Sequence, residues 1–329
     1  MEVNKKLSIV IPTYNRADFL DYSLEVHIPM VKEYNIEICI FDNASTDNTE
    51  EVVNKWMQEY KFINYIRHEE NIGAVKNFEY ALSYHNSEYI WLLGDTYKFS
   101  MEILKKLLNL IESKYDLIIF NLPNKVKLYE EVSEDYNLLL NKLGALMTCA
   151  SVTIINKNIF DKNSLDRYLD TNFPHTGLIL ESISNKKNIK INFIQDYSIE
   201  SLSHPNLKKT NWSHTSKAFE IGCEDWTNFV MSLPPSYKLE NKMKCIMDFG
   251  KVSGLFTFKN LILLRVRGLL DIKVYNRYKN LFPFTIDYPL WIVFIISITP
   301  KFLFKILLKL YILTFKKNQI DNFKFLWKN

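Results

Sequence analysis

The sequence predicts an α/β chain built on a mostly parallel sheet flanked by helices. Three observations carry that expectation. Leu7–Pro12 and Ile36–Phe41 are short, mostly apolar runs that read as strands, and Tyr89–Leu93 is a continuous one, the composition of a strand buried on both faces. Segments suited to helices separate them, from Ala17 to Tyr34 and from Thr49 to Tyr60, so strand and helix alternate. Each run breaks into polar residues at its carboxyl end, the end beyond which ligands sit in open α/β sheets.

Taken in order, LSIVIP ends in Thr13-Tyr14-Asn15-Arg16. Pro12 has no N–H to give a ladder and is expected to stop the strand. Pro29 is expected to kink the helix that follows. The second strand ends in Asp42-Asn43-Ala44-Ser45-Thr46-Asp47. Asp47 with Glu50 fits a capping box for the Thr49–Tyr60 helix, which makes Asp47 structural. Asp42 precedes that cap and is a carboxylate placed to accept hydrogen bonds from a base or ribose. Phe62–Arg67 is a weaker third strand, and Asn71-Ile72-Gly73-Ala74-Val75-Lys76-Asn77 opens a helix running to about His85. Gly73 permits close backbone approach and the helix amino terminus favours an anion; a plain turn and cap is the alternative. Tyr89–Leu93 stops at Gly94 and presents one carboxylate, Asp95, followed by Thr96 and Tyr97. A carboxylate there can hold a hard cation against a diphosphate, or merely close a strand in an Asp–Thr turn. Asp116–Asn121 and Ser151–Ile155 read as further strands around a helix near Tyr136–Gly144, and NKKNIKINFI supplies a later one.

Composition bounds the rest. A chain of 329 residues, 47% hydrophobic, can bury a full core and suggests about two domains. A net charge of +4 is too balanced to argue for nucleic acid. Cys39, Cys149, Cys223 and Cys245 form no CxxC pair and read as reduced thiols, neither a zinc site nor a disulfide framework. The first apolar run is too short for a signal peptide and has no small-residue cleavage site, so the catalytic part is expected in the cytoplasm.

The stretches IVIPTYNR, FDNASTDNT, NIGAVKN and WLLGD, in that order, resemble the nucleotide-diphosphosugar-binding half of the family 2 glycosyltransferases of the GT-A fold. The resemblance covers roughly residues 5–120. It implies a nucleotide site of Pro12, Thr13, Tyr14, Asn15, Asp42, Asn43, Asn71, Gly73, Asn77 and Asp95. Asp42 would bond the base, and Asn71, Gly73 and Asn77 would lie near base and ribose. Asp95 would be the surviving acid of the DxD motif that holds a divalent cation, magnesium or manganese. Relatives read Gly-Asp-Asp-Asp here; this chain reads Gly94-Asp95-Thr96-Tyr97, which implies a weak cation site filled mainly together with nucleotide. In the family a later helix opens with an acidic pair whose Asp deprotonates the acceptor. Phe173-Pro174-His175-Thr176 falls at that place, which makes His175 the implied base. Asp225, in Glu224-Asp225-Trp226, is the competing candidate, although it reads better as a helix surface before Pro234-Pro235. His204 falls where some GT-A enzymes carry a late histidine and could be a second metal ligand, or simply a loop residue.

Tyr288–Pro300 is uncharged and aromatic but shorter than the ~20 residues a spanning helix needs. Lys301, Lys305 and Lys309 follow at spacings of four, amid apolar side chains, and Lys316 and Lys317 extend the charge. That pattern predicts a helix lying in the membrane interface; a buried helical hairpin is the alternative. The expected organisation is therefore a nucleotide-sugar half (1–120), an acceptor half (121–236) and a helical, membrane-associating region (237–329). The implied function is inverting sugar transfer from a nucleotide-diphosphosugar to a hydroxyl of a surface glycan or glycolipid: lipopolysaccharide, lipooligosaccharide, capsule or lipid-linked. The enzyme would sit peripherally on the cytoplasmic face of the inner membrane. A non-catalytic sugar-nucleotide or glycan-binding subunit is the alternative that the missing carboxylate leaves open.

Overall fold

The computed structural model describes residues 2–84, 86–128, 134–160, 166–168, 170–204, 207 and 212–315. Expectations placed on His85, Lys316 and Lys317 lie outside these residues. Strand and helix alternate through the first part: β1 (Leu7–Thr13), α1 (Ala17–Lys32), β2 (Glu37–Asp42), α2 (Thr49–Glu59), β3 (Ile63–Arg67), α3 (Ala74–Leu82) and β4 (Tyr89–Leu92). Then follow β5 (Tyr97–Lys98), α4 (Met101–Ile111), β6 (Leu117–Asn121), α5 (Tyr136–Leu143), β7 (Thr153–Asn156), α6 (Pro174–Ser184), β8 (Ile191–Ser198) and β9 (Glu200–Ser201). Seven strands form one sheet in the order β3-β2-β1-β4-β7-β6-β8, and β5 with β9 forms a small separate ladder. All pairings in the large sheet are parallel except those of β7, which runs against both β4 and β6.

The strands are apolar because helices cover both faces of a parallel sheet. Every residue of β4 and of β6 is buried, and so are Leu7 to Ile11 of β1. Pro12 does not end β1: the strand continues to Thr13, with Pro12 opposite Phe41 and Thr13 opposite Asp42. Alternation along the strand explains why this is tolerated. Val10 O accepts from Leu93 on the β4 side and Thr13 O accepts from Asn43 on the β2 side. The bond that Pro12 cannot make therefore points past the end of β4, where no ladder partner is needed.

Asp47 is structural, by a different geometry from the capping box. The cap position belongs to Asn48. Asp47 Oδ1 accepts from the N–H (3.1 Å) and hydroxyl (2.5 Å) of Thr49, and Oδ2 accepts from the Ala17 N–H at 3.0 Å. One carboxylate thus ties the starts of α1 and α2 together. Partial burial pushes its pKa up, but the hydrogen bonds from Ala17 and Thr49 outweigh this and hold it below the ordinary value.

The described residues fall into two compact units, Met1–Thr210 with Phe229–Cys245, and Asn211–Asn228 with Ile246–Asn329. The first unit holds both sheets. The second is helical, and α7 (Trp226–Ser232) and α8 (Leu239–Ser253) belong partly to each. It continues as α9 (Phe258–Val266), α10 (Ile272–Tyr278), α11 (Phe282–Thr285), α12 (Leu290–Ile298) and α13 (Lys301–Phe315). Its interior is aromatic: Trp226 stacks on Phe249 with ring centres 4.8 Å apart, and Phe219 on Phe256 at 5.6 Å.

Gly177 of α6 faces the ring of Tyr168, and a Cβ added there would come within 2.3 Å of the ring. Tyr168 is fully buried, so the ring has no room to withdraw. Gly177→Ala is therefore expected to destabilise by about 1–3 kcal/mol despite alanine's better helix propensity. Urea unfolding would measure this, and a smaller partner in Tyr168→Leu should recover most of the loss.

Candidate active site

The strand order turns at β1: β2 and β3 lie on one side of it and β4 on the other. Chains leaving β1 and β4 therefore part, and a crevice opens beyond their carboxyl ends. A cavity of about 690 Å³ lies there, lined wholly by residues of the first unit. That is the size of a pocket that encloses a ligand of nucleotide scale.

Its lining assembles from the ends of elements. Pro12, Thr13, Tyr14 and Arg16 come from the end of β1 and the start of α1, Asn43 from the end of β2, and Gly94 to Tyr97 from the end of β4. Asn71, Gly73, Asn77 and Phe78 come from the start of α3. Thr148 to Ser151, leading into β7, and Asn172, Pro174 and His175, opening α6, supply the rest. Because β7 is antiparallel to β4, its entrance lies beside the exit of β4. Gly94 N donates to Ser151 Oγ at 2.9 Å and Trp91 Nε1 donates to Ser151 O at 2.8 Å.

Pro12, Thr13, Tyr14, Asn43, Asn71, Gly73, Asn77 and Asp95, all proposed from the sequence, line the cavity together with His175. Asn43 organises the approach to α3: its Nδ2 donates to Asn71 Oδ1 and its Oδ1 accepts from Ile72 N, each at 2.9 Å. Gly73 sits at φ +86°, a conformation that side-chain-bearing residues rarely adopt, with nothing within 4 Å of where a Cβ would stand. Having no side chain, it leaves the first N–H groups of α3 uncapped by the cap residue itself. Asn77 Nδ2 donates to Phe41 O at 3.0 Å, which pins α3 to β2.

Asn15 and Asp42 do not line the cavity. Asn15, at φ +49°, accepts from Thr46 N at 2.7 Å and clips together the loops after β1 and β2. Asp42 is fully buried: Oδ1 accepts from the N–H and hydroxyl of Ser45, Oδ2 accepts from the Tyr65 hydroxyl at 2.6 Å, and Arg67 Nε lies 3.5 Å from Oδ2. A nucleobase bonding Asp42 would have to displace one of these partners.

Asp95 is buried, and Arg16 Nη1 lies 3.1 Å from its Oδ1. Arg16 is the sequence's missed site residue. It stood in view as the last residue of IVIPTYNR. Among the described lining residues it is the one Lys or Arg and Asp95 is the one carboxylate. Its guanidinium also lies over the Phe19 ring, 4.6 Å from the centroid. Burial, then the nearby Cys149, pushes the phenol pKa of Tyr97 up, so it stays protonated.

The donor set does not fit a resident divalent cation. Among the described residues, no three His, Cys, Asp or Glu side chains come together as a metal cluster, and Asp95 is already ion-paired. His204 does not line the cavity; its ring packs edge-on against Tyr22 at 4.8 Å. Asp225 belongs to the second unit, at the end of a π-helical stretch Glu220–Asp225, and does not line the cavity. Its neighbour Glu224 pairs with Arg277 at 3.4 Å.

His175 occupies the first turn of α6 and is buried. Thr176 Oγ1 donates its single hydrogen to Met147 O, so Nε2 of His175 meets two acceptors, that carbonyl at 3.2 Å and that hydroxyl at 3.1 Å. This assigns the proton to Nε2 and the lone pair to Nδ1. Burial lowers the imidazole pKa to about 4, with the backbone of Met147 and Thr148 partly opposing the shift. His27 of α1 behaves alike: burial lowers it to about 4 against the hydrogen bond of Ser23, and Lys98 adds to the lowering.

Both histidines bind protons more tightly in the unfolded chain, near the ordinary 6.5, than in the fold, near 4. The unfolded state takes up protons first on acidification, so stability present above pH 6.5 is lost progressively toward pH 4. At pH 5 the loss should be about 2 kcal/mol per histidine relative to pH 7. Urea midpoints at the two pH values would show it, and His27→Gln should reduce the acid sensitivity by about half.

The switch-point cavity and the parallel half-sheet around it are the architecture of a GT-A nucleotide-sugar transferase. The family model described as Glycosyl transferase family 2 matches residues 8–180, more than half of the chain. The chain belongs to that family. The abequosyltransferase RfbV of Salmonella typhimurium is 28% identical over 214 residues, 57% of this chain and 64% of RfbV. Glycosyltransferase GlyG of Streptococcus pneumoniae is 29% identical over 116 residues, 35% of this chain and 36% of GlyG. The match thus spans less than two thirds of the length of either curated relative. Among solved structures, TarS 1–349 of S. aureus in complex with UDP-GlcNAc superposes with a TM-score of 0.55 at 15% identity, covering 85% of this chain and 81% of that one. The mannosyltransferase PcManGT of Pyrobaculum calidifontis, in complex with GDP-Man and Mn2+, gives 0.52 at 12% identity, covering 89% and 88%. These likenesses establish the fold.

Proposed function

We propose that the protein transfers a sugar, with inversion, from a nucleotide-diphosphosugar to a hydroxyl of a surface-glycan or lipid-linked acceptor. The observation that carries this reading is the cavity at the β1–β4 switch point, with one cation and one carboxylate in its described lining. The nucleotide-sugar complexes of TarS and PcManGT, and the abequosyltransferase relative, support a nucleotide-linked donor. Inversion is taken from the family resemblance and from no single residue.

In a single displacement the acceptor oxygen forms a bond to the anomeric carbon as the bond to the diphosphate breaks. The nucleoside diphosphate departs with that electron pair, and the acceptor proton passes to a base. His175 is the base in this reading, through Nδ1. At a pKa of about 4 it has the basicity of an ordinary carboxylate, which is the group it replaces at this position in the family. The leaving diphosphate is met by Arg16 and by the start of α3. A divalent cation, Mg or Mn, is read here as a passenger of the nucleotide, since the residues at Asp95 do not form a resident site.

Incubation with a panel of nucleotide-sugars should release free nucleoside diphosphate from one donor class; release from none would defeat the enzymatic reading. For that nucleotide, calorimetry in excess chelator should show affinity within about tenfold of that in magnesium, whereas Arg16→Gln should lose at least about tenfold. Strong chelator sensitivity with an indifferent Arg16→Gln would reverse the assignment of charge.

His175→Gln should lower kcat by about 100-fold or more while donor affinity survives, because a base acts mainly in the transition state. The acid limb of kcat/KM should lie near pH 4, and a limb near 6.5 would point to a different group. Asp225→Ala, in the same assay, should cost little.

A further inference from the structure

α12 and α13 leave a broad apolar surface uncovered. On α13, a rotation of about 100° per residue gathers Phe302, Leu303, Ile306, Leu307, Leu310 and Leu313 into one arc roughly 140° wide. All six are exposed, Leu307 to 60%. The opposite side of the helix carries Phe304, Leu308 and Ile312, which pack with Ile262 and Val266 of α9. On α12, Trp291, Phe294, Ile295 and Ile298 are exposed at i, i+3, i+4 and i+7, with Trp291 at 63%, while Val293 and Ile296 are buried. Each helix thus has one apolar side spent on the fold and a second turned away from it.

Charge identifies the occupant. By the same rotation Lys305 and Lys309, both half-buried, fall between the outward arc of α13 and its packed side, while the exposed Lys301 starts the helix with its Nζ beside Gly268. The sequence from Tyr288 to Phe315 contains these three lysines and no acidic residue, and residues 246–315 carry ten Lys and Arg against three Asp. A second copy of the chain seated on this face would bring lysine edges together. An anionic lipid surface complements both the apolar arc and its basic edge. Among the described residues no single helix is long and apolar enough to cross a membrane, and α12 and α13 meet at 99°. That bend suits a pair of helices lying along a surface.

We infer that the outward faces of α12 and α13 dock the protein on an anionic lipid bilayer, with the apolar arcs in the acyl boundary and the lysines among the head groups. The inference stands independently of the glycosyl-transfer reading. The test is co-sedimentation of the full chain with vesicles of phosphatidylcholine alone and of phosphatidylcholine with phosphatidylglycerol. Binding is expected on the anionic vesicles and should weaken with salt. Ile306→Ser with Leu307→Ser should cost at least about tenfold on the anionic vesicles. Lys301→Gln, Lys305→Gln and Lys309→Gln together should cost about a hundredfold there and leave any binding to neutral vesicles nearly unchanged. Trp291 fluorescence should be quenched by bromine placed near the head groups, with Trp291→Phe as the control. Unchanged near- and far-ultraviolet circular dichroism in every variant would show that the variants are folded. No binding by the wild type, or binding indifferent to both sets of substitutions, would overturn the inference. So would quenching strongest at the bilayer centre, which would make the pair a span. A dimer that dissociates on the serine substitutions, with no vesicle binding, would give the face to a second copy and overturn it equally.

Discussion

The structure depends on β1 being held on both edges and covered on both faces. A strand so placed must be apolar along its length and must deliver its polar residues only where it emerges. Leu7 and Ile9 to Ile11 satisfy the first demand, the buried Ser8 donates to Glu37 Oε2 at 3.0 Å, and Thr13 to Arg16 fall at the point of emergence. Its partners then decide what those residues meet. With β2 on one side and β4 on the other, Asn43 and Asp95 arrive at the same end of the sheet as Tyr14 and Arg16. The site is a result of strand order, and no one of its residues needs a special backbone apart from Gly73.

The parallel half of the fold was legible because burial on two faces writes itself as short, mostly apolar runs, interrupted here only by Ser8 in the first and Glu37 in the second. The lining residues after β1, β2 and β4 and at the start of α3 were legible for the same reason, since they sit where those runs end. α4 was readable and passed over: Ser100 caps it, accepting from Ile103 N, and Ile103, Leu104, Leu107 and Ile111 form its buried stripe. β5 and β9 are two residues each, too short to leave a period in the sequence. The partners of Asp42 could not be read at all. Tyr65 and Arg67 reach it from the neighbouring strand β3, and a lone sequence does not disclose register. Asp47 shows a milder version of the limit, its role foreseen and its second partner, Ala17, supplied by the fold.

The electrostatics of the cavity follow from economy of charge. A lone buried carboxylate is costly unless a cation or hydrogen bonds meet it, and Arg16 provides the cation. That pairing has two faces. It satisfies Asp95, and it holds in the cavity lining a guanidinium, a group whose fork suits bidentate contact with phosphate. His175 solves a similar problem differently. Surrounded by backbone and by Thr176, it stays neutral instead of finding a counter-charge. The lining is therefore close to neutral overall, so a polyanionic ligand would change its charge state more than its shape.

The antiparallel entry of β7 has a consequence of another kind. Because this one strand is reversed, the chain enters it at the end of the sheet where the parallel strands leave, and Ser151 bonds directly to the exit of β4. The cavity is consequently lined by two stretches far apart along the chain: residues 12–97, and residues 148–175. They are joined across the short β4–β7 ladder and by α6 packing on α3, where the Phe78 and His175 rings lie 6.1 Å apart. Substitutions in the later stretch that spare Ser151 and the side of α6 facing α3 leave the bonds of the β1–β4 framework in place. A fold with this division can change its choice of one reactant while keeping its grip on the other, which gives a natural lineage a way to diversify its products by small steps.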